Sequence, residues 1–71
     1  MDREGVASSS IASIGYDAAT RTLEVEFTNG GVYEYAGVPA ALYERLMAAP
    51  SHGKFLAQYI KRGGFAYTQV G

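Results

Sequence analysis

The sequence predicts an α+β domain: a three-stranded antiparallel β-meander followed by two α-helices packed on one face of it. Three observations carry that prediction. Leu23, Val25 and Phe27 alternate with Glu24 and Glu26, the period of a half-buried strand. Asn29-Gly30-Gly31 follows directly, and Asn and Gly are the residues that tolerate the positive φ of a hairpin loop. Beyond Pro39 the apolar residues fall at helical spacing, first as Leu42, Leu46 and Met47, then as Phe55, Leu56, Tyr59 and Ile60.

Taken in order, residues 1–8 are small and polar and read as a frayed segment, with 9–71 forming one domain. Ile11-Ala12-Ser13-Ile14-Gly15-Tyr16 is the first strand. Ile11 and Ile14 have opposite parity, so a bulge between them is expected. Asp17 to Arg21 is a turn, with Asp17 placed to bond the backbone ahead of it. Thr22 to Thr28 is the second strand and Val32 to Gly37 the third.

The loop length sets which residues share a face. A two-residue loop at Asn29-Gly30 pairs Val25 with Glu34 and points that carboxylate inward. A three-residue loop, Asn29 to Gly31, pairs Phe27 with Tyr33 and Val25 with Tyr35, and leaves Glu24, Glu26 and Glu34 all outside. An unpaired buried carboxylate is costly, so the odd loop is the expected one. Tyr33 and Tyr35 then face the helices.

Pro39 suits the first position of the first helix, which Pro50 ends because the residue before a proline avoids the α region. Ser51 is an N-cap for a second helix reaching Arg62, and Gly63-Gly64 stops it. Phe65 to Val70 alternates apolar and polar; this is the pattern of a short further strand, and whether it pairs is left open. A simple meander leaves the first and third strands as open edges.

A chain of 71 residues is one domain with a small core. It has no cysteine and one histidine, so neither a disulfide nor an ordinary zinc site is available. Six tyrosines and three phenylalanines are the remaining packing resource. No cofactor or metal is expected. No apolar run reaches signal-peptide or membrane-spanning length, and the expected location is the cytoplasm, without a membrane. All seven acids lie at or before Glu44 against two arginines, a net −5, whereas Arg45, Lys54, Lys61 and Arg62 give the rest +4. Such asymmetry predicts an acidic side and a basic side.

The ordered set Ile14-Gly15-Tyr16, Leu23 to Phe27, Gly31-Val32-Tyr33-Glu34-Tyr35, Val38-Pro39, Ala49-Pro50-Ser51-His52-Gly53-Lys54-Phe55 and Ile60-Lys61 resembles the KTSC domain family. That family is named for a segment at the C-terminus of some lysyl-tRNA synthetases, and it also occurs as small free-standing proteins of bacteria and phages. Its Tyr-x-Tyr hallmark matches Tyr33-Glu34-Tyr35. The synthetase association implies RNA as a partner, and the resemblance carries over no catalytic residue.

Tyr33 and Tyr35 invite comparison with base-stacking platforms. The register argument makes them core instead, and Glu24, Glu26 and Glu34 on the same strands would repel phosphate. The preferred site is Ser51-His52-Gly53-Lys54 at the start of the second helix, where backbone N–H groups, the helix dipole and Lys54 favour an anion. Lys61 and Arg62, with Arg45 nearby, extend the basic surface. Ser51 and His52 are adjacent on a helix and point apart, so they make no nucleophile–base pair, and the chain is not read as an enzyme. The expected function is a non-catalytic module that binds RNA (tRNA or single-stranded) or a nucleotide-like anion through the second helix. The alternative is a protein-interaction or self-association module forming a homodimer.

Overall fold

Five antiparallel strands lie side by side in chain order, with two helices on one face. A computed structural model describes residues 1–71. The elements are β1 (Arg3–Gly5), β2 (Ile11–Asp17), β3 (Thr22–Phe27), β4 (Val32–Tyr35), α1 (Ala40–Ala48), α2 (His52–Phe55) continued by a π-helical stretch, Leu56–Lys61, and β5 (Tyr67–Gln69). The sheet order is β1-β2-β3-β4-β5. The expected three-strand meander is therefore its middle, β2 to β4. Its two edges, expected to be open, are covered by β1 and β5.

The segment read as frayed supplies β1. Arg3 pairs with Gly15 and Gly5 with Ser13. Gly15 makes this docking feasible: a Cβ there would lie 2.6 Å from the Asp2 carbonyl and 2.9 Å from Arg3 Cγ. Over that bare backbone the Arg3 guanidinium crosses β2 and donates to Glu24 Oε2 on β3 at 2.9 Å. The segment left open at the C-terminus becomes β5, with Tyr67 opposite Tyr35 and Gln69 opposite Tyr33.

The bulge expected in β2 is present. Ile11 pairs with Phe27 and Ser13 with Glu26, which leaves Ala12 between them without a partner in the register. Ile11 and Ile14 both turn inward as a result and are fully buried.

The β3–β4 loop has three residues as expected, but they are Thr28 to Gly30, one position earlier. Phe27 N–H donates to Gly31 O at 2.8 Å and Gly30 N–H to Phe27 O at 2.9 Å. Gly30 takes φ 95°, the left-handed position that closes such a loop. Asn29 sits in the middle, and its side-chain oxygen accepts the Gly31 N–H at 2.9 Å. The pairs are therefore Leu23 with Tyr35, Glu24 with Glu34 and Val25 with Tyr33. The expected Phe27–Tyr33 and Val25–Tyr35 pairs are displaced by two positions. Parity is kept, so the faces are as expected: tyrosines inward, glutamates outward.

Pro39 is the N-cap of α1 rather than its first residue, and Ala49 is extended ahead of Pro50. Ser51 caps α2 as expected, its hydroxyl accepting the Lys54 N–H at 3.3 Å. The second helix ends at Lys61, one residue short of the expected Arg62, and its later half is wound as π rather than α. Gly64, at φ 80°, follows. Leu46, Leu56 and Ile60 from the helices meet Ile11, Ile14, Leu23, Val25 and Tyr35 from the sheet, with Val38 between them. At the side of this core Tyr16 stacks on Tyr43 at 4.6 Å, and its hydroxyl donates to the Val38 carbonyl. No helix of the chain is long and apolar enough to cross a membrane.

Candidate functional site

The helices do not cover the whole inner face. Tyr33 stays half-buried there and Tyr67, opposite Tyr35, is 66 % exposed. The part of the sheet beyond the helices carries aromatic side chains and forms a concavity of about 420 Å³. Phe27, Asn29, Tyr33, Tyr35, Tyr67 and Lys61 line it.

The rings are in mutual contact. Phe27 and Tyr33 meet edge to face at 5.7 Å, Tyr33 and Tyr67 lie 6.2 Å apart, and Tyr35 and Tyr67 5.8 Å apart. Lys61 Nζ stands 5.0 Å from the centroid of the Phe27 ring. The Tyr33 hydroxyl is tied to Gln69 Oε1 at 3.3 Å. Tyr35 is 4 % exposed and Tyr67 66 %. Burial, and then the neighbouring Tyr33 and Tyr67, push the Tyr35 hydroxyl above the ordinary tyrosine value, so it remains a proton donor through the physiological range. No acidic side chain lines the concavity.

The Tyr33–Tyr35 pair is thus divided. Tyr35 is core, as expected, and Tyr33 is half-buried and open to the concavity. The phosphate repulsion expected from Glu24, Glu26 and Glu34 does not bear on it, because those carboxylates stand on the other face of the sheet. There Glu24 lies directly opposite Glu34, with Arg3 2.9 Å from Glu24 and 3.9 Å from Glu26. The Glu34 carboxyl is raised above its ordinary range, first by hydrogen bonding to the Glu24 carboxyl, then by partial desolvation and by the Glu24 charge.

The residues singled out from the sequence fall into separate places. Ser51, His52, Gly53 and Lys54 line a second concavity, of about 330 Å³, together with Ser8, Ser9, Ser10 and Ala57. Within it Ser51 caps the helix, and the His52 ring donates from Nε2 to the Met47 carbonyl at 3.3 Å. The buried His52 Nδ1 has no partner. Lys61 belongs to the aromatic concavity, Arg62 is exposed and lines neither, and Arg45 lies over the Phe55 and Tyr59 rings at 5.6 and 5.3 Å. The basic residues are therefore distributed among separate places instead of one stripe. Sequence reasoning missed Tyr67, Phe27 and Asn29 as wall residues and the Ser8–Ser10 run as a second wall. The alternation around Tyr67 and the serine triplet were the available signals.

A sheet whose three middle strands are followed by two helices, with a tyrosine pair on the covered face, defines a small α+β domain type. The chain belongs to the KTSC domain family, whose model matches residues 7–65. Those limits exclude β1 and β5. A crystallised KTSC domain protein from Yersinia pestis is 43 % identical, superposes with a TM-score of 0.93, and is matched over 99 % of this chain and 97 % of its own. An uncharacterized protein of Stutzerimonas stutzeri is 37 % identical over 70 residues, 99 % of both chains. A lysine–tRNA ligase of Trichormus variabilis is 46 % identical over 55 residues, which is 78 % of this chain but only 10 % of that enzyme.

Proposed function

We propose that the chain is a non-catalytic binding module for RNA or a nucleotide-like anion, with the second helix supplying the charge. The carrying observation is Lys61. Its ammonium group sits at the rim of an aromatic concavity, has no acidic partner, and is held against the Phe27 ring. Rings offer stacking to a base of any sequence, and a nearby cation offers a phosphate contact. The likeness to part of a lysine–tRNA ligase, an enzyme that by its name acts on a tRNA, points the same way. Lys54, at the polar concavity where the helix begins, offers a second contact.

Titration with tRNA and with short single strands, at low and moderate salt, tests the reading. Binding is expected to weaken with salt, and to weaken several-fold in Lys61→Ala with the fold intact by circular dichroism. No binding even at low salt removes it. The alternative, self-association, draws on β1 and β5, which are exposed along their whole length and end the sheet. Sedimentation equilibrium decides that version, and a monomer at high concentration eliminates it.

A further inference from the structure

The aromatic concavity has features that narrow its ligand. The polar groups on its wall are donors or hydroxyls, and none is an acid. Lys61 contributes an ammonium without a carboxylate partner. The Asn29 side-chain oxygen is already engaged by the Gly31 N–H, which turns the amide NH₂ away from that bond and leaves it to donate. Tyr35 is more direct. The residue is 4 % exposed, it lines the concavity, and its hydroxyl makes no hydrogen bond within the chain, whereas the neighbouring Tyr33 hydroxyl does. That hydroxyl is still reached by solvent, so it can donate to a ligand acceptor atom in place of water.

Donors without acids select an anion, and three tyrosine rings and a phenylalanine select a flat, conjugated body. Size adds a limit. About 420 Å³ is at the small end of ligand sites. Only one cation lines it; Lys54 is in the other concavity and Arg62 in neither. Firm binding of a polynucleotide needs several phosphate contacts along a track.

We infer that the concavity takes a single nucleotide unit, with its base packed among Tyr33, Tyr35 and Tyr67 and its phosphate at Lys61. This rests on the nucleic-acid reading above and makes it specific: the unit is a free nucleoside monophosphate or the phosphorylated end of an RNA chain, not an internal stretch. Tyr35 is the residue whose free hydroxyl donates to it.

The test uses the whole chain, with two-dimensional NMR titrations of adenosine 5′-monophosphate, adenosine, inorganic phosphate, and a hexa-adenylate with and without a 5′-phosphate. The monophosphate is expected to shift the signals of Tyr33, Tyr35, Tyr67 and Lys61 and to bind more tightly than either adenosine or phosphate. Its affinity should fall with salt at a shallower slope than that of a polynucleotide held through several phosphates. Tyr35→Phe, which keeps the ring, should weaken it about fivefold, the effect of one hydrogen bond. Lys61→Ala should bring the monophosphate down to the level of adenosine. Preference for the 5′-phosphorylated hexamer supports the chain end as the source, and equal binding of both hexamers below the monophosphate supports the free nucleotide. Phosphate binding as tightly as the monophosphate overturns the inference, because the rings then add nothing. Hexamer binding with a slope of several contacts and no response to the monophosphate overturns it too, yet leaves the RNA reading standing. Silence from both hexamers and the monophosphate removes both.

Discussion

Glu34 stands directly across the sheet from Glu24, and its proton is held more tightly in the folded chain than in an unfolded one. The stabilisation tied to that proton is fully present below the ordinary carboxyl value of 4.5 and is lost as the pH rises through the raised one. Once Glu34 loses that proton, its charge faces the Glu24 charge across the pair. Glu34→Gln should therefore raise Tm at pH 7, with the gain shrinking to nothing as the pH falls below 4.5. A gain independent of pH across thermal melts would show that charge is not the cause. Face and chemistry here were legible in the sequence, since Glu24, Glu26 and Glu34 fall outside in any odd-loop hairpin. The cross-strand partner was not, because it depends on where the loop closes: Asn29 in the middle of the loop draws Gly31 out of it and moves the register by two.

At the scale of elements, β1 was the one the sequence concealed. Arg3-Glu4-Gly5 has no apolar alternation, and all three residues are exposed. What pairs them to β2 is non-local: a glycine at 15 that admits the chain, and a carboxylate at 24 that meets Arg3. Gly15→Ala should accordingly undock β1 or strain it, costing about 1–3 kcal/mol as overpacked sites do. The urea midpoint reads that loss, and amide exchange of residues 3–5 should speed up with it. An unchanged midpoint would mean that β1 contributes nothing to stability. The π winding of Leu56–Lys61 was hidden for another reason, as Phe55, Leu56, Tyr59 and Ile60 fit the periodicity of either helix. The capping serine and the proline break, by contrast, act within a few residues, and the sequence displayed both.

Across the whole molecule, nine buried apolar residues hold the sheet to the helices, and Leu46 is the buried contribution of α1. For a chain of this length a total stability of about 4–11 kcal/mol is ordinary. Leu46→Ala should remove about 2–5 kcal/mol of it, enough to bring the unfolding midpoint close to working temperatures. Calorimetry should show a single transition at a lower temperature; an unmoved Tm would mean that α1 is not part of the cooperative unit. The candidate site was the least legible level. The start of the second helix was visible as a polar anion-favouring segment, but the aromatic concavity joins Phe27, Tyr33, Lys61 and Tyr67 from β3, β4, the second helix and β5. Its lining comes together only in the folded chain, which no local pattern reports.

The order β1-β2-β3-β4-β5 has a kinetic corollary. Every strand pairs with the one made just before it, and β5 alone returns after an excursion through the helices. Loops closing each new pair are short, so little chain entropy is lost before a contact is gained, and the relative contact order of the hairpins is low. Pairing of β1 to β4 is accordingly expected to proceed by local steps, on the microsecond-to-millisecond scale of low-contact-order domains. Docking of β5 is expected as the late, long-range event, and it is the pairing that raises Tyr67 as a wall. On that order the aromatic concavity is the last part of the fold to be completed.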